Sequence, residues 1–78
     1  MNWIIVFYNR LRDQLKPDEL NSTNMIDFPN CIMFHIRLDM RQYKYILNAK
    51  ELIDSIDPLG YINNEIKIIK EKFDVWNI

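Results

Sequence analysis

Glycine, cysteine and histidine are scarce in this chain of 78 residues, which contains one of each. With Gly60 as the lone glycine, no glycine-rich phosphate-binding loop can form. Cys31 has no second cysteine with which to form a disulfide, a redox pair or a zinc knuckle. Cys31 and His35 are four positions apart on a predicted strand, about 13 Å, which is too far to share an ion. We therefore expect no metal and no cofactor.

Groups that could carry catalysis are equally few. His35 is the only histidine, and among apolar strand residues a histidine is more often a surface residue than a general base. None of the aliphatic hydroxyl residues lies in the sharp strand-to-helix turn that exposes a nucleophilic serine; they are Ser22, Thr23 and Ser55. We therefore expect that the protein is not an enzyme.

Long apolar segments and an excess of positive charge are also lacking. The longest apolar run, residues 3–8, is far shorter than the roughly 20 residues of a membrane helix, and no basic residue precedes it as in a signal peptide. The net charge of −1 provides no general attraction for nucleic acid. The expectation is a soluble, cytoplasmic protein that binds no membrane.

What the chain does have is apolar character, with 49% hydrophobic and 13% aromatic residues. This content is too high for a disordered chain, although the length is close to the lower limit for a self-sufficient core. Residues 1–78 are therefore expected to form a single compact domain.

Two interpretations compete at the start of the chain. The β-branched residues 4–6 between aromatic residues suit a buried strand. An apolar stripe with helical spacing favours a helix to about Lys16, ending before Pro17; it consists of Met1, Ile4, Tyr8, Leu11 and Leu15. We predict the helix because the stripe continues to Leu15.

Residues 17–30 have no periodicity and contain two prolines and a cluster of small polar residues, a composition typical of loops. Asp18, Glu19 and Asp27 give the segment a charge of −3, because it has no basic residue. We predict a long acidic loop, which at this length is often functional.

A hairpin follows, in which apolar residues alternate with polar ones; the apolar set is Ile32, Phe34, Ile36, Leu38, Tyr43, Tyr45 and Leu47. We predict that residues 39–42 form its loop and that Leu38 lies opposite Tyr43. Both tyrosines then face the core, and Arg37 lies opposite Lys44 on the outer face, where like charges splay apart or meet an acidic partner.

The C-terminal part is predicted to contain two helices. Asn48 and Glu51 are spaced as in a capping box for a short helix over residues 49–56. Asp57 and Pro58 suit the start of a longer helix that runs to about residue 76. Its apolar residues recur every three or four positions and predict a buried stripe: Leu59, Ile62, Ile66, Ile69, Phe73 and Trp76.

A second apolar strip lies beside this stripe, beyond Glu65 and Lys72, and consists of Tyr61, Ile68 and Val75. Either the hairpin and the first helix cover it, or it binds a partner. The partner would be another protein or a second copy of the chain paired through this helix.

Together these patterns predict an α+β domain in which helices cover one side of a two- or three-stranded antiparallel sheet. No motif matches a known family. In size and low glycine content the chain resembles small phage and mobile-element proteins that inhibit host or defence proteins. The first hypothesis is thus a non-catalytic protein-binding module, an inhibitor or adaptor. Its candidate interface residues are the strip and the basic hairpin: Tyr61, Ile68, Val75, Arg37, Arg41 and Lys44.

Two other functions stay open. The hairpin interleaves basic and aromatic residues, as single-strand-binding proteins do. Its tyrosines are predicted to face the core, however, whereas Arg37, Arg41 and Lys44 are predicted to face outward. Nucleic acid is therefore not the partner we expect. An antitoxin or immunity-type protein is the third hypothesis.

Overall fold

The structure, a computed structural model, describes residues 1–75. In chain order its elements are α1 (Trp3–Leu15), β1 (Glu19–Asn24), β2 (Cys31–Leu38), β3 (Arg41–Asn48), α2 (Ala49–Asp54) and α3 (Pro58–Val75). The strands form one antiparallel sheet in the order β1-β2-β3. The predicted small α+β domain is thereby confirmed, with three strands in its sheet.

The helices and one face of the sheet enclose a single apolar core. Buried side chains come from α1, from the hairpin strands β2 and β3 and from both C-terminal helices; they are Phe7, Leu11, Phe34, Ile36, Tyr45, Leu47, Leu52, Ile62, Ile66, Ile69 and Phe73. None of the helices described within residues 1–75 has both the length and the apolar character that a membrane span requires.

The N-terminal segment is a helix, as predicted, and not a strand. The Asn2 side chain caps its first turn, and Lys16 ends it in the left-handed conformation just before Pro17. The predicted stripe is wrong in part, because Met1 precedes the helix and is exposed. In the first two turns the fully buried residue is Phe7, whereas the predicted stripe placed Tyr8 there; Tyr8 is only partly buried.

Residues 17–30 are not one long loop, and this prediction is corrected. Strand β1, Glu19–Asn24, pairs along its whole length with β2, and only residues 17–18 and 25–30 lie outside a helix or strand. Only Leu20 of this strand is partly buried, whereas its other side chains are exposed. A strand that joins a sheet through backbone hydrogen bonds and buries one apolar residue has no apolar alternation to reveal it.

The hairpin register differs from the prediction by two residues. The turn consists of Asp39 and Met40 alone, and Leu38 lies opposite Arg41 instead of Tyr43. Both turn residues have positive φ values, 52° and 67°, which is the geometry of a two-residue turn that follows the twist of the strands. Because the shift is an even number, Tyr43 still faces the helices.

Replacing Met40 with glycine is expected to raise the free energy of unfolding by about 0.5–1 kcal/mol. Met40 is exposed, and its left-handed backbone is unfavourable for a side chain with a Cβ atom. Chemical denaturation of Met40→Gly provides the measurement. Gln42→Gly is the control, because glycine inside a strand should destabilise the protein. A loss of stability in Met40→Gly would contradict this interpretation.

The two C-terminal helices begin where predicted. The Asn48 side chain caps α2, which ends at Asp54 and not at residue 56. Asp57 caps α3 by accepting a hydrogen bond from the Gly60 N–H at 3.1 Å. A Cβ atom at position 60 would overlap the Asp57 carboxylate, which explains the lone glycine.

The stripe of α3 is confirmed at four of its positions, since Ile62, Ile66, Ile69 and Phe73 are buried. Leu59, in the first turn, is partly exposed. Trp76, the last member of the predicted stripe, lies outside the described residues. This helix therefore provides the largest share of the core on the helical side of the sheet.

Candidate functional site

The three predicted basic residues of the hairpin do not share one surface. Arg41 lies on the helical side, where its guanidinium donates a hydrogen bond to the Phe73 carbonyl at 2.9 Å and lies 5.8 Å from the centre of the Phe73 ring. Only 21% of its side chain is exposed. The expectation that Arg41 faces outward is therefore wrong, because the shorter turn places it within β3 on the core-facing side. Arg41 stabilises the C-terminal end of α3.

Arg37 and Lys44 do lie on the outer face, but they are not opposite each other as predicted. Arg37 pairs with Glu19 of β1, with 3.6 Å between Nε and Oε2, and Lys44 lies opposite His35. The predicted clash of like charges is therefore absent at this pair. The acidic side chain of Glu19 contacts Arg37 instead. Glu19 belongs to β1, the strand that the sequence did not predict.

All three helices pack on the same side of the sheet, so no helix described in residues 1–75 covers its outer face, which we call the open face. This face has a shallow depression of about 330 Å³ with polar walls from all three strands; its lining includes Glu19, Asn21, Thr23, His35, Arg37, Gln42 and Lys44. Next to it, Met33 lies opposite Ile46, and 51% of Ile46 is exposed. The open face therefore combines a basic centre with an apolar pair.

The aromatic rings of the sheet lie on its opposite, helical side. Phe34 and Tyr45 are buried against Phe7, and Tyr43 contacts Phe73. None of the outward-facing residues of β1, β2 and β3 is aromatic. Base stacking, on which single-strand binding depends, thus finds no Phe, Tyr or Trp on the face that carries Arg37 and Lys44, where His35 is the one ring.

The predicted strip on α3 is divided by the structure. Tyr61 packs against the core, and its hydroxyl donates a hydrogen bond to Glu51 of α2 at 3.2 Å. Partial burial, with the Glu65 and Glu51 carboxylates nearby, raises the pKa of Tyr61 to about 12. Ile68 is 38% exposed, and Val75 ends the helix with its side chain outside the described residues. Within the strip, Ile68 is thus the apolar side chain that the structure places at the surface.

Glu65, which separates the stripe of α3 from the strip, accepts a hydrogen bond from the Tyr45 hydroxyl at 2.8 Å. Burial and the carboxylate of Glu65 raise the pKa of Tyr45 well above its ordinary value. Together with the contact between Arg41 and Phe73, this bond shows that the Glu65 side of α3 lies above β3. On the opposite side of α3, Asn63 bonds to Arg10 of α1. Ile68 lies about 60° round the helix beyond Glu65 and so faces away from α1, towards the side on which β3 lies.

Strand β3 is an edge of the sheet, and no strand among residues 1–75 pairs with the backbone on its outer side. Because Leu38 and Arg41 close a two-residue turn, the backbone groups of Gln42, Lys44 and Ile46 point away from β2. In the described part of the chain, no backbone hydrogen bond joins β3 to another element than β2. We call Gln42, Lys44, Ile46 and Ile68 the β3 edge surface.

Sequence reasoning identified two members of this surface, Lys44 and Ile68, but assigned them to separate sites. Gln42 was predicted to lie in the hairpin loop, and Ile46 was not singled out. The alternation of β3 did place Ile46 on the outer face, which could have identified it. What the alternation could not show is that β3 is an edge strand beneath Ile68, since both facts depend on strand order and helix packing.

No group of three or more His, Cys, Asp or Glu side chains within residues 1–75 is arranged to hold a metal ion. No family model, curated protein or solved structure matches this chain. The functional argument therefore depends on the chain's own surfaces, and above all on the β3 edge surface.

Proposed function

We propose that the protein is a non-catalytic protein-binding module, an inhibitor or adaptor, that binds its partner through the β3 edge surface. The observation that carries the proposal is the exposure of Ile46 and Ile68 on the two sides of an unpaired edge strand. Exposed apolar side chains next to backbone groups that no described strand pairs with form the kind of surface that a protein partner covers.

The chemistry of this surface supports the same conclusion. Edge strands that have no partner are commonly protected by charged side chains, lysine especially, or by proline. Of the three outward positions of β3, Lys44 alone is charged, and Ile46 is apolar. A partner that covers the edge would remove Ile46 and Ile68 from water and satisfy the backbone at the same time.

The test is the substitution Ile68→Asp, with Ile56→Asp as its control. Affinity purification of the tagged full chain from its native host identifies the partner, and titration with the purified partner then gives Kd. We expect Ile68→Asp to weaken binding by at least about tenfold, because the carboxylate would be desolvated only in the complex. Ile56, between α2 and α3, is fully exposed and lies outside the β3 edge surface, so its variant should bind as the original chain does.

Circular dichroism melting of the same samples separates binding from folding. Both variants should keep a melting temperature close to that of the original chain. Unchanged binding in Ile68→Asp would refute the proposed surface. A collapse of the fold would assign Ile68 to the core.

A second candidate function is nucleic-acid binding, which the cluster of His35, Arg37 and Lys44 on the open face favours. Gel-shift titration with single- and double-stranded nucleic acid tests it directly. Binding that weakens steeply as salt increases and that is lost in Arg37→Ala would support it. The opposite orientation of Arg41 removes one cation from this face.

A further inference from the structure

We infer that the β3 edge surface binds an extended segment of its partner by strand addition, in which the segment becomes a fourth strand antiparallel or parallel to β3. The inference rests on the proposed protein-binding function and specifies the chemistry of the partner. The segment would alternate acidic side chains, on the open face of the sheet, with apolar side chains, on the helical side. Such segments bind mainly through backbone hydrogen bonds, and side chains provide the specificity.

The backbone of β3 is arranged for this mode of binding. Gln42, Lys44 and Ile46 direct their N–H and C=O groups away from β2 in a regular two-residue repeat. Three such residues can form up to six hydrogen bonds with an added strand. The strand is eight residues long, from Arg41 to Asn48, so it can pair with a segment of similar length.

The other edge of the sheet is less suited to an added strand. On β1, the Leu20 carbonyl already accepts a hydrogen bond from the Tyr8 hydroxyl of α1 at 3.1 Å. Leu20 is one of the residues whose backbone faces outward from β1, because it alternates with those paired to β2. The structure therefore distinguishes the two edges and favours β3.

Charge determines what the open-face side of the segment should carry. Lys44 lies at the centre of the edge, next to His35 in the same row, with Arg37 in the adjacent row. Strand β3 contains no acidic residue, and Glu19 already pairs with Arg37. An acidic side chain directly opposite Lys44 would form a favourable cross-strand pair.

The helical side of the added strand would meet Ile68. This side chain is 38% exposed and lies beyond Glu65, which is itself above β3. Side chains of the added strand that point to this side alternate with the acidic ones. An apolar residue there would bury the exposed part of Ile68.

A second copy of the chain is a poorer occupant of this edge. If two β3 strands paired about a twofold axis with their free backbone groups aligned, Lys44 would lie opposite Lys44, Gln42 or Ile46. The first register places like charges directly opposite each other, and the other two offer no opposite charge. The edge is therefore complementary to an acidic segment and not to itself.

The test begins with a display library of random 12-residue peptides selected on the immobilised full chain. We expect enriched peptides to alternate acidic and apolar residues. A synthetic copy of the most enriched peptide is then added to the full chain, and amide hydrogen exchange is followed by NMR. The amides of Gln42, Lys44 and Ile46 should become protected, whereas those of Leu20 and Ser22 on β1 should not change.

Two kinds of variant examine the backbone itself. Alternate backbone N–H groups of the bound peptide should face β3, and the others should face solvent. Methylating the nitrogens of the first set should abolish binding, whereas methylating those of the second set should have little effect. On the protein, Gln42→Pro should weaken peptide binding by at least about tenfold by removing an outward N–H. Ser22→Pro is the matched control, because it removes an outward N–H from β1. Lys44→Glu should weaken binding of the acidic peptide and favour basic peptides on reselection.

The outcomes separate the two proposals. Selection without any enriched peptide, protection outside β3, or equal effects of both methylation phases would overturn strand addition. If strand addition is overturned but Ile68→Asp still weakens binding of the partner, the proposed protein-binding function remains valid. Protection of β3 that increases with protein concentration without peptide, together with a dimer mass, would assign the edge to a second copy and also overturn the inference. If Gln42→Pro fails to fold, the methylated peptides and the exchange data decide.

Discussion

Ile66→Ala is expected to lower the free energy of unfolding by about 2–5 kcal/mol. Ile66 is fully buried in the middle of α3, where the helix packs onto the sheet, so that truncation leaves a cavity. A small domain has a total stability of only about 5–15 kcal/mol. The substitution would therefore remove a large fraction of the stability of this protein.

The same helix supplies a matched control. Ile68 differs from Ile66 in exposure and not in residue type or element, so Ile68→Ala should cost less than about 1 kcal/mol. Urea denaturation followed by circular dichroism measures both values. Equal losses in the two variants would mean that the stripe and the strip have been assigned to the wrong faces of α3.

Phe7→Ala should have an effect at least as large, with an expected loss of about 3–5 kcal/mol. The Phe7 ring is fully buried and joins α1 to the sheet, with its centre 5.2 Å from that of Phe34 and 5.8 Å from that of Tyr45. Removing it creates a cavity and eliminates two ring contacts. Of the described aromatic contacts between α1 and the sheet, only that of Tyr8 with Phe34 would remain.

Ile5→Ala is the control for α1, because Ile5 is largely exposed on the same helix. Thermal and urea denaturation of the two variants should differ by more than about 2 kcal/mol in unfolding free energy. A small effect of Phe7→Ala would show that the helix is oriented as the original stripe predicted, with position 8 and not position 7 at the centre of the core.

Helices were predictable in this protein because their evidence is local. Capping residues such as Asn48 and Asp57 act within one turn, and the stripe of α3 repeats over five turns. The hairpin strands were predictable for the same reason, since their alternation identifies the core-facing side. The predicted core-facing side of the hairpin is correct although the predicted register is wrong, because a shift of two residues leaves each side chain on the same face.

Strand β1 was not predictable, because its evidence is not local. It buries little of its own side chains and depends on β2 for its hydrogen bonds. The role of Arg41 was missed for a related reason. A turn of two residues with positive φ but without glycine has no distinctive composition, so a longer loop that included Arg41 was predicted. In the structure Arg41 belongs to strand β3.

The sequence by itself determined the class of fold, the buried stripe of α3 and the outward orientation of Lys44, because periodicity and capping act through neighbours along the chain. Only the tertiary structure decided that β3 is an edge strand and that Glu65 bonds to Tyr45. It also directed Ile68 to the side of α3 that faces away from α1. These facts depend on which elements meet in space, and the pairing of distant segments is set by the packing of the whole core.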